Sequence, residues 1–317
     1  MPPHDFWDLT VSYACVTAVG LVITCGLIIV LFNFKLSSKL TLILLRIQSV
    51  ADAASCLFSI LTCTTKSHPT GNQVTDWISC RFWDSQLFYW ISVVLSTSNL
   101  IWVTIDRVWA TLYAVTYKRN FPRYLILSNG VSCLYTAFLV IPVSLLVDHR
   151  NGSCQAMSAV TTSDAYYSQN VHPYLWLVTY YFLPSFTTFC VHMRVLHFMR
   201  RMNRRNAAAN ALELEKKNRL LCPFTICPVG LATGLTGAHG YGTYCYVIET
   251  TNTVFYEPGT PSRLLSVFLT TLNCCINPII LLTTLSQLRQ KFISVGHKCV
   301  QFWRENCLRR INPVDAV

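Results

Sequence analysis

Long apolar stretches limit what this chain of 317 residues can fold into. Seven of them reach the roughly 20 residues that a helix needs to cross the hydrocarbon core of a bilayer. They cover residues 9–34, 40–65, 85–105, 124–147, 173–193, 220–248 and 264–288. Only 12% of the residues are charged, against roughly 25% in an ordinary soluble domain. The sequence therefore predicts an all-α integral membrane protein with seven spans.

The first stretch is interpreted as a span and not as a cleaved signal peptide. Asp5 and Asp8 precede it, and its leader contains no Lys or Arg. A signal peptide begins with positive charge and has a shorter apolar core.

Basic residues predict the orientation of the chain. Most of the 25 Lys and Arg fall in the connections after spans one, three, five and seven. The other connections hold Lys66, Arg81, Arg150 and Arg263. Because cytoplasmic loops are rich in Lys and Arg, we expect the N-terminus outside and the C-terminus inside. The net charge of +11 then faces the lipid headgroups of the inner leaflet, which makes nucleic acid an unsuitable partner.

Two of the 15 cysteines, Cys80 and Cys154, fall in connections that this topology places outside. The outside of a cell is oxidising, which favours a disulfide. Asn151 begins the acceptor pattern "NGS" on the same loop as Cys154 and is expected to be glycosylated, although the pattern alone is a weak signal.

Charged and strongly polar residues within the spans are candidates for function, because burying them in lipid is unfavourable. Asp52 lies in span two, Ser96 in span three, and Asn273 and Asn277 in span seven. Their oxygens could together bind a small hard cation such as sodium. They could instead form a hydrogen-bonded knot between helices. Spacing alone favours the knot.

Span three carries a stripe of functional candidates from end to end. Tyr89, Ser96 and Arg107 share one helical face, and Tyr89 and Arg107 are about 27 Å apart along the axis. Asp106 adjoins Arg107 at the predicted cytoplasmic end. The positive-inside rule explains an Arg there, but it does not explain the Asp.

Short motifs follow one another along the spans. "SVADAA" lies in span two, "IDRVWA" ends span three, "NPIIL" lies in span seven and "LRQKF" follows it; Pro184 lies in span five. In this order they resemble the rhodopsin-like (class A) G-protein-coupled receptors, and the resemblance covers nearly the whole chain. It implies a seven-helix bundle with a short amphipathic eighth helix over residues 1–300 and a cytoplasmic tail over residues 301–317.

The resemblance implies a coupling site at the cytoplasmic end. Arg107 matches the family's arginine, which Asp106 holds at rest and which meets the heterotrimeric G protein in the active state. Asn277, Pro278 and Leu281 match the activation motif of span seven. A multi-pass receptor in the plasma membrane is therefore expected.

Asp52, Ser96, Asn273 and Asn277 also fall on the sodium pocket of the family. The resemblance thus favours an allosteric sodium ion over the knot, with no other cofactor.

The same resemblance pairs Cys80 with Cys154 as the outer disulfide and marks Cys299 for palmitoylation. The 27 residues from Cys80 to Arg107 exceed what is usual in the family. The local register there is therefore open.

Several family positions carry other residues. Leu27 stands in place of an Asn, Pro228 in place of a Trp, and Val108, His192 and Leu281 in place of tyrosines. This divergence is similar to that of orphan receptors of an invertebrate, flatworm-type lineage.

Glycines are expected to make the sixth helix irregular and kinked, because an interior Gly disfavours a helix by about 1 kcal/mol. A small-xxx-small pair could bring another helix close. The glycines are Gly230, Gly234, Gly237, Gly240 and Gly242.

An aromatic cavity at the outer end is the expected ligand site. The resemblance places Phe88, Tyr89, Trp176, Tyr180 and Thr271 there. Span seven has no Lys for retinal, and span three has no acid at the position that a biogenic amine requires. The long outer loop, residues 148–172, favours a peptide ligand, with a small organic molecule as the second choice.

A seven-span transporter or channel that uses Asp52 as an ion site is the alternative. Scattered histidines make an enzyme with an intramembrane metal unsuitable. The last residues, "VDAV", would suit a PDZ domain through Asp315 and Val317, although an unbound tail is the simpler expectation.

Overall fold

A computed structural model describes residues 3–34, 38–65, 70–144, 147–150, 153–156, 171–206, 230, 233–249 and 260–311. This part of the chain is mostly helical, and its two strands, β1 (Val147–Arg150) and β2 (Ser153–Ala156), form an antiparallel hairpin. His149 pairs with Cys154 in that hairpin. The expectation of a helical protein is confirmed.

The helices are given in chain order. They are α1 (Pro3–Phe32), α2 (Lys39–Thr64), α3 (Gln73–Ser79), α4 (Leu87–Leu112), α5 (Ala114–Arg119), α6 (Phe121–Ser144), α7 (His172–Trp176), α8 (Leu183–Asn206), α9 (residues 233–249), α10 (Pro261–Thr284) and α11 (Ser286–Ile311).

Within the described ranges, five helical stretches are long and apolar enough to cross a membrane. They are Thr10–Phe32, Lys39–Thr64, Gln73–Ala110, Phe121–Ser144 and Pro261–Thr284. They coincide with predicted spans one, two, three, four and seven. Helix α7 continues through wide turns into α8 along the predicted fifth span, and α9 covers the second half of the predicted sixth.

Side chains define where several helices begin. Ser38 caps α2 by accepting a hydrogen bond from the backbone N–H of Thr41, at 3.3 Å. Thr260 caps α10 in the same way, at 3.4 Å from the N–H of Arg263. Such caps satisfy N–H groups that have no partner within the helix.

The long helices pack as a bundle in which α4 contacts α2, α6 and α8, and α1 contacts α2 and α10. A glycine allows a close approach of α1 and α10: a Cβ added at Gly20 would lie 2.2 Å from Cys275 Sγ. Leu27 and Leu281, which replace polar residues of the receptor family, are both fully buried in one apolar core.

The two ends of the bundle differ in what they carry. A disulfide joins Cys80 to Cys154, with the two Cα atoms 5.5 Å apart, so the predicted pairing is confirmed. We call this the disulfide end. Asp106 lies toward the far end of α4, which we call the Asp106 end.

A break ahead of α4 absorbs the long spacing after Cys80. Residues Cys80–Asp84 form wide π-helical turns, and Gln86 adopts a left-handed conformation with φ of 58°. Both features add chain without adding regular helix. They account for the separation of 27 residues from Cys80 to Arg107.

The described part of the sixth predicted span, α9, is continuously helical over residues 233–249, without the irregular turns that its glycines predicted; the kink stays a prediction. The expected close approach does occur. A Cβ added at Gly230 would lie 3.3 Å from Ile280, and one added at Gly234 would lie 3.0 Å from Asn273 Oδ1, both on α10.

A helix follows the seventh predicted span, but it is not short. Helix α11 begins directly after Leu285 and runs for 26 residues, past the predicted boundary at residue 300. The first proline after its start is Pro313, so the sequence contains no strong helix breaker within α11.

Candidate functional site

A buried carboxylate ties three elements together at the Asp106 end. Asp106, which is fully buried, accepts hydrogen bonds from Thr41 of α2 at 2.5 Å and from Tyr117 of α5 at 2.6 Å. Ser38 Oγ lies 2.6 Å from the Tyr117 hydroxyl. Burial, followed by the nearby Asp106 carboxylate, raises the pKa of Tyr117 to about 12, so Tyr117 remains a donor at neutral pH.

The rest of the predicted coupling site is described in part. Arg107 follows Asp106 on α4, but its side chain lies outside what the structure describes. Asn277, Pro278 and Leu281 are all buried on α10. Leu281 packs against other leucines, so it contributes no polar contact where the receptor family has a tyrosine.

Asp52 is the centre of a second buried cluster, about halfway along α2. Ser96 of α4 donates to Asp52 Oδ1 at 2.6 Å, and Asn277 of α10 donates to Asp52 Oδ2 at 3.0 Å. The Nε2 group of Gln48 lies 3.2 and 3.3 Å from the two carboxylate oxygens. Asn99 in turn donates to Gln48 Oε1 at 3.0 Å. We call these five residues the Asp52 cluster; they link α2, α4 and α10.

The Asp52 cluster suits a sodium ion in the type of its atoms but not in their arrangement. Sodium would need the oxygens of Asp52 and Ser96 to face a common point. Gln48 Nε2 lies at that point, because it contacts both oxygens of Asp52 and is also 2.5 Å from Ser96 Oγ. An amide N–H group thus stands where the cation would be.

Asn273, the fourth residue of the predicted sodium site, makes no hydrogen bond to Asp52 among the described contacts. Its Oδ1 atom is buried and, like Asn277 Oδ1, has no hydrogen-bond partner in the part of the chain described. These two oxygens suit a cation. A cation at the Asp52 carboxylate would, however, have to displace the Gln48 amide group. The geometry therefore favours the knot over the ion.

A cavity of about 40 Å³ opens between helices at the disulfide end. Aromatic, hydroxyl and basic side chains line it, together with one valine and one glycine. The lining residues are Trp90, Val143, Trp176, Tyr180, His239, Gly242, Thr243, Tyr246, Arg263, Ser266 and Thr270.

Two of the five predicted ligand residues, Trp176 and Tyr180, line this cavity. Phe88 does not: it is 41% exposed and stacks on Phe58. The cavity is lined instead by Trp90, two positions further along α4.

Tyr89 and Thr271 belong to a closed hydrogen-bonded group beside the cavity. The Tyr89 hydroxyl lies 3.1 Å from Thr271 Oγ1 and 3.2 Å from the carbonyl oxygen of Val267. Ser59 and Tyr13 also contact Thr271 Oγ1, at 3.1 and 3.4 Å. These contacts join α1, α2, α4 and α10 and leave neither predicted residue facing the cavity.

Three polar side chains of the cavity have atoms without a hydrogen-bond partner among the described residues. They are Trp90 Nε1, His239 Nε2 and Thr243 Oγ1, in residues that are at most 6% exposed. His239 Nδ1 is bonded to the Tyr180 hydroxyl. Buried polar groups usually find partners, so three exceptions around one cavity make it a candidate binding site.

Sequence reasoning missed Gln48, Asn99, His239 and Thr243. A signal for two pairs was present, because residues four apart share a helical face. Gln48 lies four positions before Asp52, and His239 lies four before Thr243, each pair within an apolar span.

Three further predicted sites cannot be placed on the structure. Asn151 and the final residues that include Asp315 and Val317 lie outside the described residues. Cys299 lies on α11, but its side chain is not described. Glycosylation, PDZ binding and palmitoylation stay predictions.

No protein-family model matches the sequence, and no curated protein is significantly similar to it. The residues and contacts described above are therefore what bears on the function of the chain.

Proposed function

We propose that this chain is a rhodopsin-like G-protein-coupled receptor of the plasma membrane. It has seven spans, its N-terminus is outside, and α11 is the helix that follows the seventh span along the inner leaflet. A ligand binds the cavity at the disulfide end, and a heterotrimeric G protein binds the Asp106 end. Membrane lipid surrounds the bundle.

The observation that carries this proposal is the arrangement of polar contacts along α4. Near the disulfide end, Trp90 lines the cavity; at mid-depth, Ser96 bonds Asp52 of α2; near the other end, Asp106 bonds Thr41 and Tyr117. One helix thus connects a small cavity, a helix-joining cluster and a buried carboxyl group, which the proposal assigns to the cytoplasmic side.

Signalling in this proposal is a population shift. A ligand biases the equilibrium only by the difference between its affinities for the two states. The resting state is stabilised by the bonds from Thr41 and Tyr117 to Asp106, which fix the inner end of α4 against α2 and α5. Loosening this end opens a groove for a helix of the G protein.

Substitutions at the Asp106 end test the proposal. Asp106→Asn weakens the charged hydrogen bonds that stabilise the resting state, so basal nucleotide exchange on a panel of G proteins should rise severalfold. Tyr117→Phe removes one bond and should raise it less. Tyr113→Phe is the matched control, since Tyr113 is 58% exposed, and should leave exchange unchanged. Arg107→Ala should abolish exchange, because the group that meets the G protein is gone.

Unchanged exchange in all these variants at equal surface expression would refute the receptor proposal. The transporter or channel alternative is then measured directly, as sodium flux in vesicles that contain the purified chain. Flux that Asp52→Asn abolishes would replace the receptor with that alternative.

A further inference from the structure

The cavity at the disulfide end contains hydrogen-bond donors that have no acceptor among the described residues. Trp90 Nε1 can only donate. When the Tyr180 hydroxyl donates to His239 Nδ1, the neutral His239 ring carries its proton on Nε2, which is then a donor as well. Thr243 Oγ1 has no partner among the described residues and can donate too.

Among the described residues that line the cavity, the side chain with a fixed charge is basic. The guanidinium carbon of Arg263 lies 5.0 Å from the centre of the Trp90 ring, and Arg263 is one of the lining residues. None of the described lining residues is Asp or Glu. Among these described residues, a cationic group of a ligand would therefore meet a cation and donors and no carboxylate.

The size of the cavity limits what can enter it. A volume of about 40 Å³ holds about three water-sized groups, since one water needs roughly 10–15 Å³ by this measure. A whole amino-acid side chain with its backbone does not fit, but a carboxylate group, with three heavy atoms, does. Trp176 and Tyr246 provide aromatic surface for an apolar body beside that group.

We infer that the cavity is a subsite for a carboxylate carried on an aromatic or apolar body. The carboxylate accepts hydrogen bonds from Trp90, His239 and Thr243, and Arg263 favours its negative charge. This inference rests on the proposed receptor function and narrows the ligand. Two sources share the chemistry: the free C-terminus of a peptide and a small organic acid.

Direct binding to the full chain in lipid nanodiscs tests the subsite without any G protein. The probes are potassium phenylacetate, phenylacetamide and benzylammonium chloride, which share a ring and differ in the head group. Thermal unfolding is followed as each concentration rises, with potassium chloride as the ionic control. Phenylacetate should raise the unfolding temperature, and the amide and the amine should raise it much less.

Two variants locate the effect in the cavity. Thr243→Val keeps the shape and removes one donor to a charged group, so phenylacetate binding should weaken about tenfold. Arg263→Gln removes the charge and should reduce the preference for phenylacetate over phenylacetamide. The matched control is Thr179→Val. Thr179 donates a hydrogen bond to the Leu175 carbonyl oxygen and is not among the residues that line the cavity, so this variant should bind phenylacetate as the native chain does.

A third arm separates the two sources. A short peptide that ends in phenylalanine is compared as its free acid and as its C-terminal amide. Tighter binding of the acid than of phenylacetate identifies a peptide C-terminus, and tighter binding of phenylacetate identifies a small acid.

Three outcomes would overturn the subsite. They are equal binding of the three head groups, no binding of phenylacetate up to its solubility, and binding of phenylacetate by Thr243→Val as tight as by the native chain. These outcomes are distinct from failure of the receptor proposal, which is measured by nucleotide exchange. A chain that binds phenylacetate and couples to no G protein would keep the subsite and lose the receptor.

Discussion

The Asp52 cluster and the cavity at the disulfide end both contain buried polar side chains but differ in their hydrogen bonds. In the cluster, Gln48, Ser96 and Asn277 all donate to one carboxylate. In the cavity, Trp90 and Thr243 have polar atoms with no partner among the described residues. A polar group that is satisfied within the protein stabilises the bundle, whereas one that is buried and unsatisfied is available to a ligand.

The difference is not complete, because Asn273 Oδ1 and Asn277 Oδ1 are also without partners in the described part of the chain. They are acceptors, whereas the cavity offers donors. Among the described residues, the cluster therefore has acceptors without a donor, and the cavity has donors without an acceptor. A carboxylate, which only accepts, would suit only the cavity.

The largest effect is expected from Asp52→Ala. The change leaves Gln48, Ser96 and Asn277 without their common acceptor, and each unsatisfied buried group is unfavourable by about 1–3 kcal/mol. We expect a loss of about 3 kcal/mol or more in the free energy of unfolding, measured by thermal or denaturant unfolding in detergent. Asp52→Asn keeps an acceptor and should lose less; equal losses in both variants would contradict the role of the shared acceptor.

A smaller effect is expected from Gln48→Leu, which removes the amide group from between Asp52 and Ser96. Sodium should then raise the free energy of unfolding of the variant, by about 1.4 kcal/mol when the sodium concentration is ten times the Kd for sodium. The native chain should show no difference between sodium chloride and choline chloride in the same unfolding experiment.

The double variant Gln48→Leu with Asp52→Asn is the control and should again be insensitive to sodium. A sodium-specific stabilisation of the native chain would show that the ion can displace Gln48, and the sodium site implied by the family resemblance would stand.

The smallest effect is expected from Thr243→Val in the absence of ligand. Its hydroxyl has no hydrogen bond to a described residue, so the free energy of unfolding should change by less than about 0.5 kcal/mol. The measurement is the unfolding curve used for Asp52→Ala. A loss as large as in that variant would mean that Thr243 has a structural partner, and the contrast between the two regions would disappear.

The sequence predicted the depth of a residue in the helix bundle better than it predicted the direction in which the side chain points. The apolar stretches placed Asp52, Ser96 and Asn277 at matching depths, and the structure brings them together. The face of a helix is harder to predict, because neighbouring residues point about 100° apart. The break at Gln86 sets the rotation of α4, and it turns Trp90 to the cavity while Phe88 faces away.

Other features depended on contacts that no local pattern contains. The 26-residue length of α11 shows that a motif can mark where a helix starts without marking where it ends. The place of Gln48 depends on the rotamer of a long side chain that two other helices surround, and periodicity says nothing of rotamers.

The wide turns at Leu177–Phe182 set the phase between the two halves of one long helix. They lie between Trp176, which lines the cavity, and Pro184, whose ring cannot fit a regular helix interior. Suppose that these turns became α-helical and that the extra residue they contain moved into the next turn of the helix. One half of the helix would then rotate by about 100° and shift by about 1.5 Å relative to the other half. A change of this kind would alter which side chains of α8 face the rest of the bundle, without a bend in the helix axis.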